Sequence, residues 1–462
     1  MNPLVYAAGY LWLWLTTMLQ LPLSQPAGSR SPIPLSHDFE KDGQVAKWAP
    51  DQPQAWGEES FKLNFGDRPA ALAFNPEGSL LAVSFGTEVE IYDTSSLERR
   101  HLLQGHSGIV THVEFHPDGQ RFISGSERMG RNMETLVRVW NLTQAEEERK
   151  VTHGLSDIAE KAASTATHEL VLAGMWSAED VEMETAALQQ GIEETLRAAE
   201  TRRDVRHDRA FVGTAAKFGS HTFSHNGSLM FYISEHNTAV ALETSTLTEK
   251  FRMSHSDAIM WVGASPDGNV VGTSSWDRTV RLWDAHSGEL IRTLAGSKNQ
   301  NWAGSFSPDG TLIAVGSGDS IVYVWNVETG ELVHHFQGFR GWVRTLSFTP
   351  DGAFLAAGSG SGTVQVFEMA TGRRVQQWQV KSVHIGPVFE ISDLQYSPDG
   401  TKLAFKMADG RVVVYDGEEN LKWEFDSVEN GMYIGSQDLV FNTASSIVVS
   451  ADSDKDVRFW KL

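Results

Sequence analysis

The sequence repeats itself with a period close to 42 residues, and the repeat is clearest at a short turn. In the clear copies the turn contains proline, an acidic or amide residue, and glycine. Proline presets φ for the second position of a β-turn, Asp or Asn bonds back to the backbone, and glycine accepts positive φ. Six clear and two weaker copies follow one another along the chain: 74–78, 115–119, 224–227 (weaker), 265–268, 307–310, 349–352, 397–400 and 441–444 (weaker).

Each turn is flanked by short runs that are typical of β-strands. Residues 80–84 and 312–316 are apolar and rich in β-branched side chains. An alternating segment that ends in an aromatic and a polar residue comes next, for example 280–284, and a further strand follows Ser-Gly-Glu or Thr-Gly-Glu, for example 290–294. Four strands in each repeat unit predict one blade of a β-propeller.

The unit between residues 255 and 284 resembles a repeat of the WD40 family. It carries His255, the Ser-Pro-Asp-Gly turn, Thr273, Asp277 and Trp283 in the order that the family shows. The resemblance implies an all-β, WD40-type β-propeller. It also implies that His255, Thr273, Asp277 and Trp283 form a buried, hydrogen-bonded structural tetrad within the blade. Other units depart from the full pattern, so we expect few complete tetrads.

The repeat units number eight and extend over residues 61–462. The last unit has three strands before the chain ends, and the isolated strand pattern at 61–65 precedes the first unit. We therefore expect residues 61–65 to supply the missing outer strand and to close the ring, which removes two exposed edges. Eight blades is our prediction, and seven is the alternative because the third unit, 218–252, is degenerate.

An insertion interrupts the second blade. The third turn comes about one and a half periods later than the repeat requires, and the excess lies at about 143–215. Residues 156–167 and 178–203 are rich in Ala, Glu, Gln, Leu and Arg, which favour helix. We predict a helical insertion, either packed on the propeller as a hairpin or protruding as an arm that binds a partner.

The N-terminal region differs from the repeats. Residues 1–23 form an apolar segment with no charge between Pro3 and Leu23, which is long enough to span a bilayer. It lacks the basic n-region of a signal peptide, so a signal peptide or anchor and a simple N-terminal extension both remain open. Residues 24–60 are interpreted as a proline-rich linker. The predicted location is cytoplasmic or nuclear, with membrane-anchored or secretory as the alternative.

Composition and motifs point away from catalysis and from nucleic acid. Lys and Arg number 38 and Asp and Glu 59, so the net charge is −21, which disfavours phosphate binding. The chain has no cysteine, which excludes thiolate catalysis and Cys-ligated metals. We predict no catalytic residues, no metal and no cofactor. One alternative is a propeller enzyme of the quinoprotein dehydrogenase type, which a metal or quinone spectrum would reveal. The other is a membrane-tethered or secreted binding module.

The predicted function is that of a monomeric scaffold that assembles other proteins on its faces. In WD40 proteins the top face around the channel is the usual contact surface. Alignment through the shared turn places one set of side chains there, on three neighbouring blades: Met260, Trp276, Trp302, Trp342 and Arg344. Trp and Arg dominate binding hot spots, so we predict that these five residues bind the partner. The alternative is that the tryptophans pack between blades, which we expect for Trp261.

Overall fold

The recurring turn closes a hairpin through its own side chains. At 265–268, the Ser265 hydroxyl accepts the backbone N–H of Val270 at 3.0 Å, and Gly268 takes a φ of +74°. Three other copies place a hydroxyl in the same role, at 2.9–3.0 Å from the N–H that begins the next strand: Ser307, Thr349 and Ser397. The turn therefore fixes where the second strand starts, and with it the register of the hairpin.

The computed structural model describes residues 40–41, 44–49, 59–127, 135–143, 207–215, 221–235, 237–379, 391–407, 411–425, 439–452 and 454–462. These residues belong to one compact unit that spans Leu35–Leu462. Within this part of the chain, eight sheets follow one another around a β-propeller, which confirms eight blades and excludes the alternative of seven.

The blades are numbered here in chain order. Five of them are complete antiparallel meanders of four strands. Blade 1 consists of Pro69–Phe74, Leu80–Phe85, Glu88–Asp93 and Arg99–Leu103. Blade 2 consists of Ile109–Phe115, Arg121–Glu127, Leu136–Asn141 and His207–Val212. Blade 4 consists of Ile259–Ala264, Val270–Ser275, Val280–Asp284 and Leu290–Leu294. Blade 5 consists of Asn301–Phe306, Leu312–Ser317, Val322–Asn326 and Leu332–Phe336. Blade 6 consists of Val343–Phe348, Phe354–Ser359, Thr363–Glu368 and Arg373–Gln379.

The other three blades depart from this plan. Blade 3 has three strands, preceded by two isolated bridges, Thr214 with Ile233 and Phe223 with Met230. Its strands are Leu229–Glu235, Thr238–Glu243 and Thr248–Ser254. Blade 7 consists of Ile391–Tyr396, Lys402–Met407, Val412–Asp416, Leu421–Phe425 and a short fifth strand, Lys47–Trp48. Blade 8 consists of Leu439–Phe441, Ile447–Ala451, Asp456–Lys461 and Phe61–Asn64.

The first strand of each complete blade is the inner one, because it contacts the first strand of a neighbouring blade. Consecutive strands alternate in direction, so the two ends of the propeller carry different loops. The Pro-Asp-Gly turns lie at one end. The turns between second and third strands and the connections between blades lie at the other end, which we call the top face.

The two ends of the described propeller meet in blade 8. Phe61–Asn64 pairs antiparallel with Asp456–Lys461, with Phe61 opposite Phe459 and Leu63 opposite Val457. The rings of Phe61 and Phe459 meet edge to face at 5.6 Å. The predicted closing strand is therefore confirmed, and an early strand of the propeller is held by its last one.

The predicted insertion is shorter at its C-terminal end than 143–215. His207–Val212 pairs with Leu136–Asn141 as the outer strand of blade 2, so the chain has returned to the sheet by residue 207. This strand could not be predicted from its residues, because charged side chains interrupt its apolar pattern. The predicted helical residues, 156–167 and 178–203, lie outside the described residues.

Part of the predicted linker belongs to a sheet. Lys47–Trp48 runs parallel to Leu421–Phe425, and the backbone N–H groups of Lys47 and Ala49 donate to Asn420 and Lys422, each at 3.0 Å. The Lys422 ammonium lies over the Trp48 ring at 4.5 Å. A two-residue hairpin pair, Glu40–Lys41 with Gln44–Val45, precedes this strand. The linker interpretation of 24–60 is therefore corrected for its described residues.

Candidate functional site

Blade 4 contains the hydrogen-bonded chain that the WD40 resemblance implied. Trp283 Nε1 lies 2.9 Å from the Thr273 hydroxyl, which lies 2.7 Å from His255 Nε2. His255 Nδ1 lies 2.9 Å from Asp277 Oδ2. One assignment of protons satisfies the series: Trp283 donates to Thr273, Thr273 donates to His255, and His255 donates to Asp277. Through these hydrogen bonds, the four side chains connect the third strand of the blade to its top-face loops.

The protonation states support this assignment. Burial lowers the pKa of His255 below its ordinary value, against the opposing effect of the Asp277 carboxylate. Burial alone would raise the pKa of Asp277, but hydrogen bonds from His255 and Thr279 outweigh it and hold that pKa well below the usual range. A neutral imidazole beside an ionised carboxylate is the pair that the hydrogen-bond directions require.

Two other blades keep only part of the tetrad. In blade 2, the Ser124 hydroxyl lies 2.6 Å from His106 Nε2 and accepts Trp140 Nε1–H at 2.8 Å. In blade 8, the Ser450 hydroxyl accepts Trp460 Nε1–H at 2.9 Å. The expectation that complete tetrads are few therefore agrees with the described blades, because blades with an apolar residue at the hydroxyl position cannot build the chain.

In blade 8, the buried Asp452 carboxylate pairs with two cations. Lys406, which is fully buried in blade 7, places its ammonium 3.0 Å from Asp452 Oδ1, and Arg458 lies 2.8 Å from Asp452 Oδ2. Removal of one member would leave an uncompensated buried charge, which is costly. Sequence reasoning missed this junction between blades 7 and 8, because the two strands that supply it are far apart in the chain.

A second polar cluster joins blades 2 and 3. The Glu114 carboxylate accepts the backbone N–H of Thr222 at 2.7 Å, and the Thr222 hydroxyl lies 2.9 Å from His112 Nε2. Burial opposes ionisation of Glu114, but hydrogen bonds from His112 and His221 lower its pKa to about 2. These contacts anchor the segment that precedes the three strands of blade 3. We interpret the cluster as structural, because its polar groups bond to one another and to the backbone.

The five residues predicted to bind a partner occupy equivalent top-face positions. Met260, Trp302 and Arg344 are each the second residue of an inner strand, in blades 4, 5 and 6. Trp276 lies in the turn after the second strand of blade 4, and Trp342 directly precedes the inner strand of blade 6. The shared register therefore places their backbones at one end of three adjacent blades.

Four of the five side chains form one contact series, which we call the top-face cluster. The rings of Trp276 and Trp302 lie 5.2 Å apart, and Trp302 stacks on Trp342 at 5.2 Å with an interplanar angle of 18°. The Arg344 guanidinium lies 4.3 Å from the Trp302 ring centroid and 5.0 Å from that of Trp342. Met260 is half-buried at the equivalent position of blade 4.

The members of the cluster differ in their access to solvent. Trp342 is 41% exposed, whereas Trp302 is only 2% exposed beneath it. Trp302, one of the five residues predicted to bind a partner, is therefore covered by its neighbours. Trp276 and Arg344 are half-buried. A partner that reaches this surface meets the Trp342 ring first, with Trp302 as its support.

Trp261 packs between blades, as expected. It is 2% exposed and lies in a cluster with Ile313 and Val315 of blade 5. Three glycines make room for the indole, because a Cβ at Gly304, Gly263 or Gly272 would lie 2.5, 2.7 or 2.9 Å from it, respectively. Trp261 and Trp302 lie on the inner strands of neighbouring blades and have different surroundings, one between blades and one beneath a surface ring.

Two other kinds of site are absent from the described residues. No three His, Asp or Glu side chains in this part of the chain converge as metal ligands would. No helix among the residues described is long and apolar enough to cross a membrane. The apolar segment 1–23 lies outside these residues.

Two family models match different parts of the chain. The model described as "Nucleolar protein 10-like, N-terminal domain", a β-propeller domain, matches residues 303–462. The model described as "WD domain, G-beta repeat" matches residues 97–141 and 246–284. The second match includes the complete tetrad of blade 4.

Similar proteins of known name share only part of their length with this chain. An intraflagellar transport protein 122 homolog of Xenopus tropicalis is 35% identical over 113 residues, which is 23% of this chain and 9% of that protein. The human telomerase Cajal body protein 1 is 35% identical over 77 residues, 16% of this chain and 13% of that protein. These matches support shared WD repeats and leave most of both relatives unmatched.

The fold is similar to that of the C-terminal WD40 domain of Sif2. The alignment has a TM-score of 0.63 and covers 88% of this chain and 98% of that domain. Sequence identity is 14%, so the similarity is evidence of the fold alone.

Proposed function

Since the chain is a WD40-repeat β-propeller, we propose that it is a non-enzymatic scaffold that binds partner proteins on its top face. The top-face cluster carries the proposal. A large exposed indole that stacks on a buried indole and on a guanidinium is a rigid contact surface, and rigid aromatic anchors beside Arg are typical of binding hot spots. Propellers host many functions, so the cluster supports the proposal and the fold alone does not.

The electrostatics of the chain favour proteins over nucleic acid as partners. The net charge is −21, and stable nucleic-acid binding rests on the neutralisation of several phosphates by Lys and Arg. We therefore propose protein partners and no nucleic acid. The described tetrad residues serve the blade, and we propose no catalytic, metal or cofactor role for the residues named above.

We also propose a cytoplasmic or nuclear location for the protein. The match to a family model named for a nucleolar protein favours the nucleus of the two. The apolar segment 1–23 keeps a membrane-anchored or secretory location as the alternative. Imaging of the full chain with a C-terminal fluorescent tag, with and without residues 1–23, separates these locations.

Affinity purification with mass spectrometry tests the scaffold proposal. The bait is the full chain, as wild type, as Trp342→Ala, and as Trp48→Ala, which truncates another exposed tryptophan far along the chain. We expect Trp342→Ala to lose a set of captured proteins by about tenfold or more, which corresponds to about 1.4 kcal/mol. Trp48→Ala is expected to keep them, and both variants should unfold within a few degrees of wild type.

Identical capture by all three baits would contradict the proposal that the top-face cluster binds partners. A collapse of thermal stability in Trp342→Ala alone would assign the exposed ring to the folding core instead.

A further inference from the structure

The loops around the top-face cluster are basic, although the chain as a whole is acidic. Arg278 follows Trp276 by two residues in the same turn, Lys298 lies in the connection that leads to Trp302, and Arg340 precedes Trp342 by two residues. All three cations are exposed. On the described top-face loops of blades 4, 5 and 6, the one exposed carboxylate is Asp257. The exposed charges of this sector are therefore mainly positive, whereas the net charge of the whole chain is −21.

The remaining acidic residues of these loops are engaged within the fold. Asp277 accepts hydrogen bonds from His255 and Thr279. Asp319 accepts the backbone N–H of Lys298 and the hydroxyl of Tyr323, each at 2.8 Å. The Arg281 guanidinium lies 3.8 Å from the Asp277 carboxylate and offsets its charge. Asp257 and Asp319 keep their negative charges, so the three exposed cations leave these loops a small positive excess.

The cluster itself adds a fourth cation with a fixed orientation. Arg344 lies within 5.0 Å of both the Trp302 and Trp342 ring centroids, and cation–π contact holds the guanidinium against the rings. A guanidinium that is oriented in advance loses little conformational freedom when it binds a carboxylate. Positive charge and an exposed aromatic ring thus lie on the same small surface.

We propose that this sector binds an acidic peptide segment of a partner protein, with an aromatic or other apolar side chain of the segment against Trp342. The inference rests on the proposed function and specifies its partner. The number of cations favours a peptide over nucleic acid. Four basic residues match a few carboxylates, whereas nucleic-acid binding proteins commonly engage about 6–10 phosphates and a net charge of −21 repels a long polyanion.

Selection from a random-peptide phage library on the immobilised full chain tests the proposal without a known ligand. We expect the selected peptides to carry clustered Asp or Glu beside an aromatic residue. Fluorescence anisotropy of the strongest selected peptide then gives affinities for wild type, Trp342→Ala and the charge reversal Lys298→Glu with Arg340→Glu. We expect each variant to bind the peptide with an affinity about tenfold or more below that of wild type. Affinity should also fall as salt rises, because the cations are exposed.

A matched reversal at a distance controls for net charge. Lys47→Glu with Arg373→Glu changes two exposed cations on outer strands of blades 7 and 6, and this variant should keep the wild-type affinity. Oligouridine serves as the nucleic-acid probe in the same assay and should bind more weakly than the selected peptide.

The outcomes separate the two proposals. A neutral or basic consensus, no enrichment, equal affinity of the charge-reversed variant, or tighter binding of oligouridine would overturn the acidic-peptide inference. If Trp342→Ala still loses captured proteins in cells while the reversal at 298 and 340 has no effect, the scaffold function stands and only the partner chemistry is wrong. If Trp342→Ala keeps its captured proteins and the charge reversal keeps its affinity for the peptide, both the scaffold proposal and the acidic-peptide proposal are refuted.

Discussion

At the residue scale, one hydroxyl joins the two halves of the blade 4 tetrad. The Thr273 hydroxyl accepts a hydrogen bond from Trp283 and donates one to His255, and all three side chains are buried. The motif predicted these contacts, because each residue lies at a fixed register position of the repeat. The burial of Trp302 could not be predicted in the same way, since the ring that covers it, Trp342, comes from the next blade.

Thr273→Val should destabilise the fold. The substitution keeps the side-chain shape but removes the hydroxyl, which leaves the Trp283 N–H and a His255 nitrogen without their partner. We expect a loss of about 1–3 kcal/mol in the free energy of unfolding, measured by denaturant titration. Thr293→Val, at an exposed position of the outer strand of the same blade, should change it by less than about 0.5 kcal/mol. Equal effects at the two positions would show that the tetrad hydroxyl contributes nothing.

His255 should make stability depend on pH. Burial lowers its pKa in the fold, so the unfolded chain takes up a proton first as pH falls below the ordinary value of 6.5. The stabilisation is therefore complete above pH 6.5 and declines as pH falls toward the lowered pKa. We expect the stability advantage of wild type over His255→Gln, from thermal unfolding, to shrink between about pH 7 and pH 5. A pH-independent difference would contradict the neutral imidazole in the tetrad.

At the element scale, the blades pack through tryptophans that glycines accommodate. A Cβ at Gly304 would lie 2.5 Å from the Trp261 ring between blades 4 and 5. Gly304→Ala should therefore lower the free energy of unfolding by about 1–3 kcal/mol, because a packed core resists extra volume. Gly66→Ala, where a Cβ would meet nothing within 4 Å, is the matched control and should be nearly neutral. Neutral behaviour of both would mean that the interface between these blades is loosely packed.

The closing strand can be tested through the absence of cysteine from the chain. Phe61 and Phe459 are register partners, and such pairs have Cα atoms close enough for a disulfide. Phe61→Cys with Phe459→Cys should cross-link on oxidation and raise the thermal midpoint, which reduction should reverse. Phe61→Cys with Lys461→Cys, two residues out of register, should cross-link poorly. Equal yields from the two pairs would place the closing strand in another register.

The elements show which features sequence can predict. The turns contain their own chemistry, so the eight units and the need for a closing strand followed from local pattern. The fifth strand of blade 7 did not, because Lys47–Trp48 pairs over two residues and has no periodic signal. In the degenerate blade 3, isolated β-bridges and the Glu114 cluster replace a regular inner strand. Such nonlocal contacts cannot be predicted from the sequence of a single repeat.

At the scale of the whole molecule, ring closure within one chain predicts a monomer. Blade 8 takes its outer strand from residues 61–64 of the same chain, so no second copy is needed to complete a sheet. Light scattering of the purified chain should give a mass near 51.0 kDa. A mass twice that value at micromolar concentration would show that copies of the chain associate through a surface other than this closure.

The charge distribution joins the fold to its proposed role. In the proposed account, the net negative charge disfavours nucleic acid, and a basic, aromatic sector on the top face of three adjacent blades is the surface proposed to bind an acidic partner. Blade geometry positions this sector, since equivalent register positions on neighbouring blades point to the same end of the propeller.

Photo-cross-linking in cells tests the central claim, that partners bind at the top-face cluster. A benzophenone amino acid replaces either Trp342 or Trp48, which are 41% and 52% exposed and lie on different blades. The prediction is that the probe at position 342 forms discrete cross-links to partner proteins and that Arg344→Ala weakens them. The probe at position 48 should form none of the same products. Cross-links from position 48 alone, or the same products from both positions, would contradict the claim.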